Sequence, residues 1–78
     1  MDLMIKNYIE RAKNEIVIAE TLNKISTDLD AKQSFGIDDN MTFYSSVISH
    51  AYYAIFYSAK AILLTKNIAA FYYRYYYH

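Results

Sequence analysis

Ser49 and His50 stand side by side in the run SHAYYAIFYSAKAILL, residues 49–64, and the other histidine, His78, is the last residue. A serine, a histidine and a lysine (Lys60) among tyrosines raise three chemical options: nucleophilic attack, acid–base work and metal binding. A nucleophile and its base must converge on one point. Adjacent side chains on a helix diverge, so Ser49 and His50 do not make such a pair, and no acid lies near His50 in sequence. It reads as a satisfied or surface histidine. Two histidines 28 positions apart, without a spaced carboxylate motif or any cysteine, lack the spacing of a metal site, and neither metal nor cofactor is expected. The single glycine, Gly36, excludes a glycine-rich phosphate loop.

The elements that would carry these residues are helices. The chain has no proline and one glycine, so almost nothing interrupts helix and the residues of sheet turns are scarce. At 78 residues it is one small domain, near the lower limit for a self-sufficient core. Its 55% apolar content supplies material to bury. Absent cysteines exclude a disulfide framework, and MDLMIKNYIERAKNE contains no apolar stretch of signal-peptide length, so a cytoplasmic location is expected. Net charge is zero but uneven: residues 1–40 carry five basic and eight acidic side chains, whereas 41–78 carry Lys60, Lys66 and Arg74 and no acid. A solvated helix face explains three cations, although a mild positive field would also suit a phosphate backbone.

Between residues 2 and 25 apolar side chains recur at Ile5, Ile9, Ala12, Ile16, Ala19 and Leu22, gaps of three and four that predict a helix. Arg11–Glu15 and Glu20–Lys24 are spaced for pairing along it, and Asp2 suits its N-terminal end. Residues 26–40 read as a loop with one helical turn through Asp30–Ser34, and of the two roles open to a loop this long, functional or mobile, a mobile one is expected. A second helix is expected over about 41–66, with Asp38, Asp39, Asn40 or Thr42 as its cap and Asn67 closing it. The tail 67–78, with five tyrosines in six positions around Arg74, shows no period that separates helix from strand.

Residues 44–64 have the length of a membrane span, but Ser45, Ser46, Ser49, His50, Ser58 and Lys60 and the missing basic flank argue against one. On a helix, Val47, Ile48, Ala51, Tyr52, Ile55, Ala59, Ile62 and Leu63 make a broad apolar face. Ala51, Ala54, Ser58 and Ala61 form a line of small side chains that lets another helix approach, flanked by Tyr53, Phe56 and Tyr57. Such a helix belongs at the centre of its assembly.

The run YSSVISHAYYAIFYSAKAILLTKNI resembles the signature helix of small HEPN-domain proteins, the higher-eukaryote and prokaryote nucleotide-binding group. The matching positions are Ser49, His50, Ala51, Tyr52, Tyr53, Ala54, Phe56, Ala59, Ala61, Leu63 and Leu64, and YIERAKNEIVIAETL is similar to the family's opening helix. The resemblance spans about residues 3–68 and rests on packing residues. It implies an all-α, antiparallel up-and-down bundle, with this chain supplying a helical hairpin of a four-helix-type bundle completed by oligomerisation, usually as a homodimer. On that resemblance the chain corresponds to the first half of the fold or to a shortened version.

Family members include ribonuclease toxins paired with a minimal nucleotidyltransferase antitoxin, and non-catalytic versions that bind nucleotides or partners. The toxins' signature is an arginine followed at short spacing by a histidine, a pair able to polarise RNA phosphate and move a proton. Here only Arg74 and His78 correspond, separated by three residues, one fewer than the family pattern, and placed directly after the signature helix. The expectation is a non-catalytic binding and assembly module of a toxin–antitoxin or nucleotide-related system, without membrane. The alternative is an RNA-cleaving toxin acting at a dimer cleft.

Overall fold

The computed structural model describes residues 2–77, with side chains described at every position except 69, 71, 72, 76 and 77. Three helices follow one another: α1 (Leu3–Thr27), α2 (Leu29–Ser34) and α3 (Tyr44–Tyr77). No strand occurs among the described residues, so the chain is all-α. Helices α1 and α3 lie antiparallel as a hairpin, and α2 sits in the connection. The 62 × 18 × 12 Å extents describe a layer one helix thick.

Asp2 caps α1 as its position suggested, accepting from the Met4 and Ile5 N–H groups at 2.8 and 3.3 Å. The helix buries Ile5, Ala12, Ala19 and Ser26, each seven residues after the last. Ala54 and Ala61 answer from α3 with the same interval. A seven-residue repeat keeps one line of each helix facing its neighbour. Because that line is mostly alanine, the backbones can approach closely, but each methyl removes little apolar surface from water. Among the described residues no side chain is completely buried.

The connection is more ordered than a mobile loop. Asp28 ends α1 in an extended conformation and caps α2, its carboxylate accepting from the Ala31 N–H at 3.3 Å. Gly36, at φ 68°, closes α2: the Ile37 N–H reaches the Lys32 carbonyl at 2.8 Å and the Gly36 N–H that of Gln33 at 3.1 Å. Lys32 is buried, and its Nζ donates to the Asp39 carbonyl at 2.9 Å. Ser26 then ties the two long helices together. Its Oγ donates to the Leu22 carbonyl and accepts from the Phe43 N–H, both at 2.7 Å.

Both ends of the second long helix differ from expectation. It starts at Tyr44 rather than 41, and none of Asp38, Asp39, Asn40 or Thr42 immediately precedes it. The Asp38 carboxylate is engaged earlier, accepting from the Asn40 N–H at 2.9 Å within the turn. At the other end the helix passes through Asn67, where a stop was expected, and continues to Tyr77, so residues 67–77 of the tail belong to α3. Asn67 costs a helix interior only a few tenths of a kcal/mol, roughly, and Ala69 and Ala70 favour helix. No glycine or proline follows to end it, and among the described residues there is no strand for the tyrosines to pair with. Met4 lies beside Leu64 and Asn67. The part of α3 beyond residue 68 therefore overhangs α1, by about 15 Å at helical rise.

Candidate functional site

The signature segment 49–64 lies wholly within α3, and its residues divide between the seam and two open sides. Ala54 and Ala61 are in the seam. On one side, polar and aromatic groups from both helices meet. His50 Nδ1 pairs with Glu15 Oε2 of α1, both half-buried, and the ring lies edge-on to Tyr53 at 6.3 Å between centroids. Tyr8 stacks on Tyr57 at 6.0 Å, and the Arg11 guanidinium sits 5.8 and 5.7 Å from these two rings. Lys60 Nζ lies 5.9 Å from Tyr8 and 5.1 Å from Phe56. Each ring face attracts a cation through its quadrupole, worth about 0.5–1 kcal/mol where solvent reaches it.

Glu15 was the residue that sequence reasoning missed. It was expected to pair with Arg11 along α1; instead it crosses to His50, and Arg11 rests over the rings. The two residues are 35 apart in sequence, and only the register of an antiparallel hairpin brings them together. Ser49 is not part of this cluster: its hydroxyl donates to the Ser45 carbonyl at 3.0 Å. Serine and histidine thus diverge, as adjacent residues on a helix must. A carboxylate–histidine pair can hold an imidazole in one orientation, but among the described residues the contacts around His50 bring no nucleophile to it.

The remaining signature residues are largely open: Tyr52, Tyr53, Phe56 and Leu63 are all exposed, and Leu64 is half-buried. Ala51 lines an apolar groove between α1 and α3, opposite the ring cluster. Arg74 lies in the last turns of α3. His78 lies outside the described residues, so the Arg74–His78 pair is not placed. No cluster of metal-ligating side chains occurs among the described residues. By length and composition only, α3 is apolar enough over Tyr44–Tyr75 to cross a membrane, reaching a mean hydropathy of 1.3 in its most apolar window.

The family model of the HEPN domain matches residues 30–74, more than half of the chain. The chain belongs to the HEPN family. The match begins inside α2, takes in the linker and runs through α3 as far as Arg74. It therefore covers the whole signature segment and most of the stretch that sequence alone left outside the helix. The opening helix, also expected to fit the HEPN pattern, lies before the matched span. No curated protein and no solved structure matches the chain.

Proposed function

We propose that this HEPN chain is a binding and assembly module without chemistry of its own, working in the cytoplasm as part of a toxin–antitoxin or nucleotide-related system. One observation carries the reading: the signature residues are spent on structure or left as open apolar surface. His50 is engaged by Glu15, Ser49 by its own backbone, and Ala54 and Ala61 by the seam. Tyr52 and Leu63 remain 62% and 59% exposed. A helix presenting that much apolar surface belongs against other helices. Candidate occupants are further copies of the chain and a minimal nucleotidyltransferase.

The test is incubation of the purified chain with labelled RNA, alongside the His78→Ala variant. Intact RNA in both is the expected result. Cleavage that disappears in the variant would replace the module reading with an RNA-cleaving toxin built on Arg74 and His78.

A further inference from the structure

Helix α3 has an outer edge that the seam turns away from α1. Tyr52 and Phe56 stand two residues either side of the seam residue Ala54, and Ala59 and Leu63 two either side of Ala61. Two residues are about half a turn, so these four project away from α1. Ile48 extends the row toward the start of α3, and all five are exposed, Ile48 by 70%. Ala70 and Arg74 carry the same line onto the overhang, where Tyr73 and Tyr75 are exposed beside them. Only 11% of the most apolar stretch of α3 is buried within the chain.

Charge is arranged around this row. Lys60 lies on the ring side of it, its Nζ 5.1 Å from Phe56. Lys66 lies on the other side, lining a groove with Lys13 of α1. No carboxylate occurs anywhere in residues 41–78. Helix α1 and its cap hold acids and bases in equal number, so the negative excess sits in the connection, at Asp28, Asp30, Asp38 and Asp39. Lys60, Lys66 and Arg74 are separated from the Tyr44 end of α3, where the connection joins it, by about 24–45 Å at helical rise. That is several Debye lengths at physiological salt.

We infer that this edge of α3 lies along the surface of an anionic bilayer, with the row from Ile48 to Leu63 and the overhang in the headgroup layer and Lys60 and Lys66 reaching lipid phosphates from either flank. The inference goes beyond the assembly reading and leaves the grooves between α1 and α3 to protein partners. The serines and Lys60 that argue against a span do not count against a helix lying in the interface, which keeps such groups at the water's edge. Ser49, beside the row, already gives its hydroxyl hydrogen to the Ser45 carbonyl. Tyrosines at the end of the edge suit the same depth, with an apolar ring and a polar tip. A nucleic acid would meet the cations and leave Ile48, Tyr52 and Leu63 in water. A further copy of the chain would bring to this edge only the same cations, like against like.

The chain contains no tryptophan, so single tryptophans report each edge without background. The unmodified full chain should float with phosphatidylcholine–phosphatidylglycerol vesicles and stay behind with phosphatidylcholine alone. Lys66→Gln should weaken vesicle binding by about fivefold, whereas Lys6→Gln, on α1, should leave it unchanged. Leu63→Trp emission should shift to the blue when anionic vesicles are added. Val17→Trp, two residues from Ala19 on the outer edge of α1, should not shift. Failure to float, or equal binding to both kinds of vesicle, would overturn the inference. A blue shift in both tryptophan variants would overturn it too, by placing the whole hairpin in lipid. Resistance of the bound chain to carbonate extraction would mark a span instead of a surface helix. Retention of labelled RNA without flotation would assign the cations to a phosphate backbone, and Leu63→Trp emission already blue before lipid is added would show the edge covered by protein; either result overturns the inference.

Discussion

At the scale of single residues, the contact between Glu15 and His50 bridges α1 and α3 within the register that the seam sets. The side chains are 19% and 30% exposed, so water screens the pair only in part. Replacing Glu15 with alanine leaves a half-buried imidazole without its acceptor, a loss of about 1 kcal/mol. In a domain of this size that should lower Tm by about 4–8 °C, measurable by circular dichroism, while Glu10→Ala should leave Tm within about a degree. An unchanged Tm in Glu15→Ala would show that the pair does not help hold the two helices together. Lys32 acts on the connection instead. Lys32→Met keeps the buried stem and deletes the donor to the Asp39 carbonyl. A loss of about 1.5 kcal/mol and faster proteolytic nicking between residues 35 and 43 are expected; resistance equal to the unmodified chain would assign the loop's order to Gly36 and Ser26 alone.

At the scale of elements, the alanine seam sets what the hairpin tolerates. Ala54→Leu forces a branched side chain between two close backbones and should cost about 1–3 kcal/mol. Ala70→Leu, in the overhang where the position is exposed, should change stability by less than about 0.5 kcal/mol. Equal effects in the two variants, read by urea denaturation, would refute the seam. Much of this layer was legible beforehand. The stripe from Ile5 to Leu22 gave α1 to within two residues, and the turn through Asp30–Ser34 lies inside α2. The C-terminal end of α3 was not legible, because a helix end is marked by capping residues and breakers, and after Asn67 the sequence has neither glycine nor proline. The side-chain partners were harder still. Glu15 and His50 follow from no local pattern, whereas Ala54 and Ala61 could be picked out by size and spacing within their own helix.

At the scale of the whole molecule, one layer of helices leaves more surface than a folded chain of this mass usually keeps. If a second copy covers it, stability must depend on protomer concentration by mass action. Melts of the unmodified chain over a hundredfold concentration range should show Tm rising with concentration, and a constant Tm would point to a self-sufficient monomer. The alanines of the seam carry this further, into kinetics. Alanine has no rotamers to freeze, so along the seam itself bringing α1 and α3 together loses backbone freedom and little else. It also gains little, since a methyl is all that each alanine hides. If a second copy covers the open surface, closing the hairpin is a fast and readily reversed event, and the committed step is then the encounter between two chains. Refolding should behave as a second-order reaction, its half-time shortening in proportion as the chain is made more concentrated.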